Sequence, residues 1–290
     1  MFELPLIAKP IRTKYWRPGD DFLRIIVDSI ANYCENGDTV VISEKAVSVA
    51  MGRVVDESSA SPSLMAKVLV RIWMRLAWGY ILGPLCHLTP KTLRRLRWYP
   101  IPEGEAHKEI ALRYAGFSQS LLHYSEGGID ATNLPYALAA LPLPNPEEVG
   151  AILLEIVKTA CGKEVVVMIT DTDKTYSRNS THITPRPHAI TGIRPMGLMA
   201  LIVGRLFRWT GRATPLAVSG RLLPVEDALV VANVADRARG FGAGRTVWDM
   251  ARRFHVGLMG VTWEMLDRVE HYPIVIVRTS NRHTSSGPVP

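Results

Sequence analysis

The chain has 290 residues, 47% hydrophobic and 21% charged, with Lys and Arg outnumbering Asp and Glu 34 to 27 for a net charge of +7. That composition excludes a disordered chain and allows one large domain or two smaller ones around a sizeable core. The positive excess suits an anionic small molecule; the basic residues are scattered, without a long Lys/Arg run interleaved by aromatics, so no nucleic-acid partner is expected.

In chain order, the first element is a helix. Asp20 or Asp21 can cap it, apolar residues recur at 22, 25, 26, 30 and 33, and Gly37 ends the segment. "TVVIS" at 39–43 predicts a strand leading into "EKAVSVAMGRVVD", and a second helix follows the "SPS" breaker at 61–63. The apolar stretch at 68–83 is interrupted by Arg71 and Arg75 and is too short to span a bilayer comfortably, so an amphipathic helix and no membrane partner are expected. Residues 84–117 carry prolines and read as irregular, with "YPIPEGEAH" as a surface excursion. A third helix over 145–162 has Asn145 as cap, Pro146 in its first turn and Gly162 as its stop.

A buried strand, "VVVMIT", follows and runs into Asp171, Thr172 and Asp173. Residues 174–195 are polar and too long for a plain connector, which predicts a functional loop. Helix returns from 224, then come "GFGAG" at 240–244, two short helices, a strand at 273–279 and a frayed tail over 280–290. The class is mixed α/β (α+β). Cys34, Cys86 and Cys161 show no CxxC and no Cys/His metal spacing, and the N-terminus lacks a signal-peptide layout, so a reduced, cytoplasmic protein is expected.

Three short stretches could carry chemistry: "ELPLI" at 3–7, "GGIDATN" at 127–133 and "ITDTD" at 169–173. Carboxylates crowded beside a core repel one another, and Mg²⁺ or Mn²⁺ would relieve that with oxygen ligands from Asp130, Asp171 and Thr172. The alternative is local: Asp130 in an Asx-turn and Asp173 as a helix cap. Arg178, His182, Arg186 and His188 form a basic segment that either contacts an anionic substrate or is solvated surface. "GFGAG" could approach a phosphate with its amides, although a plain turn is the simpler reading.

Taken in order, the segments "LPLI" (4–7), "GDDF" (19–22), "VSVAMGRVVD" (47–56), "GIDATN" (128–133), "ALPLPNP" (140–146), "ITDT" (169–172) and "PIVIVR" (273–278) resemble the coenzyme F420-0:gamma-glutamyl ligase family. The resemblance implies a single two-lobed domain, a homodimer, and the use of GTP with Mg²⁺ or Mn²⁺ to join L-glutamate to F420-0 or a related phosphodiester acid. It implies Asp130 and Asp171 as catalytic residues and, with Thr172, as metal ligands. Leu4, Pro5, Leu6, Ile7, Glu44, Lys45 and Asn133 become nucleotide contacts. The chain departs from the family pattern at Val49, where a Lys is usual, and at Met51, where a Glu is usual. Lys45, one helical turn earlier, is the residue that could replace the missing ammonium. Residues 245–270 have no counterpart and read as an insertion. A diverged paralogue that forms another amide, or binds without catalysis, is the alternative.

Overall fold

The computed structural model describes residues 5–124 and 126–279. Nine strands are present among them: β1 (Leu6–Thr13), β2 (Thr39–Ser43), β3 (Val54–Asp56), β4 (Leu138–Ala140), β5 (Val166–Arg178), β6 (Thr181–Thr184), β7 (Arg194–Pro195), β8 (Thr210–Ser219) and β9 (His271–Thr279). Seven form one sheet in the order β1-β9-β2-β5-β6-β7, with β8 also paired to β5, and β3 and β4 make a small separate ribbon. At its centre β2 and β5 run parallel, Thr39 opposite Val166 through Ser43 opposite Thr170.

Parallel strands with both faces covered need apolar residues on both sides, and "TVVIS" and "VVMIT" supply them. Val40, Ile42, Val167 and Ile169 face the helices Phe22–Ile30 and Pro146–Cys161, whereas Val41 and Met168 face Val225–Arg239 on the opposite side. Asp21 caps the first of these helices by accepting from the Arg24 amide. Asn145 does not cap the second: it sits at φ +46 and its side-chain amide donates to Glu148 instead.

A second core joins the helix Leu64–Leu85 to the sheet's far end. Val70, Met74, Trp78, Leu96, Tyr99 and Leu122 pack there with Tyr176, Ile183 and Leu201. The long helix could cross a membrane by length and composition, yet a third of its most apolar window is buried against this core. Its arginines serve the lobe: Arg71 pairs with Glu105, and Arg75 donates to the Tyr99 carbonyl.

Two expectations fail here. Residues 90–97 and 101–114 are helices, not an excursion. Pro90 and Pro102 fall in first turns, where no amide partner is lost, and Glu105 and Lys108 are buried. The 174–195 segment is a loop only over 185–193. β5 continues to Arg178 and turns at Asn179 (φ +52) into β6, which pairs Tyr176 with Ile183. Asp171 pairs with Thr214 and Lys174 with Ala213, so two residues, Thr172 and Asp173, bulge from the ladder between them. The carboxylates therefore sit at a kink within a strand, and such a bulge re-aims side chains.

Candidate active site

The parallel strands end at Ser43 and Thr170, and of the residues immediately beyond, Lys45, Asp171 and Thr172 enter one cleft, while Glu44 is buried behind it against Arg186. Open α/β sheets bind ligands outside the carboxyl ends of their parallel strands. The cleft has two joined basins of about 540 and 260 Å³ that share Asp130, Thr132, Thr172, Lys174 and Arg245.

The smaller basin is basic. Lys45, Lys174, Arg239 and Arg245 line it against two carboxylates, Asp130 and Asp236, and the glycines of 240–244 form its rim. Lys174 is held by Asp236 at 2.9 Å. Arg239 donates to Thr170 Oγ1 at 3.3 Å and has its Nε buried without a hydrogen-bond partner. Burial pulls its pKa down despite Asp236 and Asp171.

The larger basin is acidic, lined by Glu57, Glu103, Glu126, Asp130, Asp171 and Asp173 against Lys174, Arg205 and Arg245. Its helical wall holds a cluster with no short-motif signature. His107 lies 2.5 Å from Glu57 through Nδ1 and 3.4 Å from Glu126 through Nε2, while the buried Lys108 reaches Glu126 at 2.6 Å. Burial opposes charge on His107, but the two glutamates outweigh it and hold the imidazole protonated well above its usual range. Burial likewise resists ionisation of Glu126, and Lys108 and His107 overcome it. At nearby His123 burial outweighs the pull of Glu126, pushes the imidazole down to about 3 and keeps it neutral. Arg205 completes this wall.

The structure assembles several of the expected site residues. Asp130 Oδ2 accepts from Lys45 Nζ at 2.8 Å, and its Oδ1 accepts from the Thr132 amide (2.7 Å) and hydroxyl (2.5 Å). Burial raises the cost of its charge, but Lys45 and Thr132 hold the carboxyl below its usual range. Asp171 Oδ1 accepts from the Thr172 amide at 2.7 Å, and Oδ2 faces Arg186 at 3.2 Å. Val49 packs in the core against Leu134 and Ala140, so the ammonium facing the cleft is that of Lys45, one turn earlier.

Other residues take different places. Glu44 is buried, its carboxylate accepting from the Leu143 amide and from Arg186, which leaves no face for a nucleotide. Burial pushes it up to about 7 against the pull of Arg186. Arg186 is likewise enclosed and cannot meet a substrate directly. His182 is buried against Ser177, with burial lowering its pKa, while Arg178 and His188 are exposed outside the cleft. Asn133, at φ +57, does line the smaller basin, where it clasps the glycine loop: its Oδ1 accepts from the Ala243 amide and its Nδ2 donates to the Phe241 and Gly244 carbonyls. Leu6 pairs with Thr279 at the end of β1 away from His271, whose neighbourhood borders the smaller basin. At ~3.3 Å per residue, Leu6 and Ile7 lie roughly 20 Å from the cleft of their own chain, with Pro5 beyond them. Leu4 is outside the described residues.

Both Asp130 oxygens and Asp171 Oδ1 thus already accept hydrogen bonds from this chain, and Asp171 Oδ2, buried without a hydrogen-bond partner, faces the Arg186 cation. Among the described residues no group of three or more His, Cys, Asp or Glu is placed to hold a metal ion. As arranged, the site does not fit a resident divalent cation.

Residues 245–270 are a folded part of the cleft. The helix Val247–Phe254 and its flanks contribute Arg245, Thr246, Trp248, Leu258 and Met259, and Asp249 ties the segment to Arg95 at 2.7 Å and Lys91 at 2.9 Å.

Comparison with known proteins agrees with this architecture. The chain is 34% identical over 290 residues to the uncharacterized protein MJ1361 of Methanocaldococcus jannaschii, an alignment covering 95% of this chain and 97% of that relative. The family model described as F420-0:gamma-glutamyl ligase matches residues 10–213, which include β2, β5, Asp130 and Asp171. The chain belongs to the F420-0:gamma-glutamyl ligase family.

Proposed function

We propose that this chain is a GTP-using amide ligase that joins L-glutamate to the carboxylate of F420-0 or a related phosphorylated acid. The observation that carries the reading is the division of charge between two joined basins. Four cations face two carboxylates in the smaller, glycine-rimmed basin, which suits a triphosphate. Six carboxylates face three lysine and arginine side chains in the larger, which suits an amine-bearing co-substrate.

The chemistry needs both. A carboxylate oxygen attacks the γ-phosphorus, the bond to the β-phosphate oxygen breaks, and an acyl phosphate and GDP result. The glutamate nitrogen then attacks the acyl carbon, phosphate leaves, and the nitrogen loses a proton. Lys45, Lys174 and Arg239 would neutralise the phosphates, while Arg205 and Arg245 remain for the acid. Enclosure on both sides would protect the acyl phosphate from water. Mg²⁺ or Mn²⁺ enters this proposal only as the counter-ion that the triphosphate brings with it. The homodimer is also part of the proposal, and Leu64, Val68, Ile72 and Leu76 offer it an exposed apolar stripe at four-residue spacing.

The test is a mass-spectrometric ligation assay with GTP, L-glutamate and F420-0, run beside Lys45→Ala. Glutamylated product from the wild type and far less from the variant supports the proposal; equal product from both overturns the role of Lys45. A second reading, another acid on the same scaffold, is favoured by one fact. Part of the cleft wall, Arg239 and Arg245 to Met259, comes from residues beyond the family match at 213. GTP turnover that depends on a different acid would select it.

A further inference from the structure

The position of Arg186 is unusual for a guanidinium. It lies just beyond β6, between Pro185 and Pro187, and is only 2% exposed. Its Nη2 donates to Glu44 Oε1 at 2.7 Å, while Nη1 stands 3.2 Å from Asp171 Oδ2 and 4.0 Å from Asp173 Oδ2. Three carboxylates from two separate elements thus converge on one cation.

The backbone opposite is shaped for that group. Gly128, in the "GGID" turn, has φ +100, and a Cβ there would collide with Nη1 and Cζ of Arg186. Glycine is needed twice over, for the positive φ and for the close approach. The turn that delivers Asp130 to the cleft therefore also forms a seat for the guanidinium plane. Asp130 itself is neutralised separately by Lys45.

We propose that Arg186 is a built-in counter-ion occupying the position between Glu44 and Asp171 that a divalent metal would otherwise take, so that this cleft keeps its carboxylates without a resident metal. A guanidinium fixed among the carboxylates repels an incoming cation and fills the space its ligand oxygens would close around. The chain's permanent charge then does what a metal would do for the folded state, relieving repulsion among Glu44, Asp171 and Asp173. Arg186 is a positioning residue here: it hydrogen-bonds Glu44, stands as an ion-pair partner to Asp171 and contacts no substrate.

The experiment is a titration of the purified full-length chain with Mn²⁺ alone, no nucleotide present, read by the EPR signal of free Mn²⁺. Wild type, Arg186→Met, Gly128→Ala and the double variant Arg186→Met/Asp171→Asn are compared, with far-UV circular dichroism as the check on folding. The wild type should bind Mn²⁺ no more tightly than about 1 mM, within the weak range for a cation lacking a dedicated oxygen cage. Arg186→Met, and Gly128→Ala by displacing the guanidinium, should bind at least tenfold more tightly, and Asp171→Asn should remove the gain. Stoichiometric wild-type binding tighter than about 0.1 mM overturns the proposal, as does a folded Arg186→Met with no gain. Should both single variants fail to fold, the wild-type titration decides alone. Because no nucleotide or acid is used, this result is independent of the ligation assay.

Discussion

The floor and the helical wall of the cleft solve the same problem, buried charge, in different ways. On the floor, Asp130 and Glu44 each stand beside a cation brought from a distant part of the sequence, Lys45 and Arg186, and Arg186 also faces Asp171. On the wall, His107 and Lys108 are sequence neighbours on one helix and Glu126 reaches both. Of the floor pairs, Lys45 with Asp130 borders the basins where ligands would enter, while Arg186 and Glu44 lie behind them. Lys108 is wholly buried and also donates to the Ser120 and Leu122 carbonyls. The comparison teaches that burial, not charge count, separates the lysine that can meet a ligand from the lysine that cannot: Lys45 keeps a quarter of its side chain exposed, Lys108 none.

The largest effect expected from this contrast is on stability. Lys108→Met leaves Glu126 buried without its closest cation, and removing one partner of a buried pair destabilises by about 3–5 kcal/mol. Urea unfolding would show it as a lowered midpoint at unchanged slope. A loss below 1 kcal/mol would place the wall on the same footing as an exposed pair.

Lys45→Ala should reverse the pattern, lowering ligation kcat/KM about 100-fold, the order associated with losing one charge-stabilising donor. Its melting temperature should stay within a few degrees. A collapsed melt with proportionate loss of activity would make Lys45 a structural pin.

A smaller effect concerns pH. His107 is held above its unfolded pKa of ~6.5, so its contribution to stability is complete below that pH and is lost as pH rises through the folded value. His123 and His271 move the other way, down to about 3 and about 4, so the unfolded chain binds protons that the folded chain does not, and stability falls as pH drops below ~6.5. Urea midpoints measured from pH 5 to 9 should therefore decline on both sides. His107→Gln should flatten the alkaline limb alone; an unchanged limb would remove the wall cluster from the argument.

The smallest effect is expected where sequence reading put substrate contacts outside the cleft. Arg178→Ala and His188→Ala should each change stability by no more than about 0.5 kcal/mol and leave ligation kinetics unaltered. A raised KM in either would extend the binding surface beyond the two basins.

Particular residues show why some of this was legible. "VVVMIT" reads as a buried strand because six residues without a charge have few other places to go, and Gly162 ends its helix at φ +61 as a glycine stop should. Asp130 and Asp171 stand out because carboxylates beside apolar runs are conspicuous. Lys45 could be singled out only through helical spacing from Val49. By contrast, nothing local marks Glu57, His107 and Glu126, which are separated by 50 and 19 residues and meet only when the helix Ile101–Tyr114 packs. Reading 174–195 as a loop held for 185–193 and failed for 174–184 because polar residues on a strand are silent in sequence when their partners are other buried polar groups, as with Thr175 and Thr214 at 2.9 Å.

By itself the sequence determined the mixed α/β class, the central strands, the glycine turns, the family and the two aspartates of the floor, Asp130 and Asp171. Each of these rests on residues near one another in the chain, where periodicity, backbone freedom and motif order leave a local trace. Tertiary structure decided what the carboxylates face. Whether an aspartate meets a metal, a lysine or an arginine depends on which distant side chain the fold brings within about 3 Å, and Arg186, 58 residues beyond the Gly128 that seats it, carries no local sign of that position.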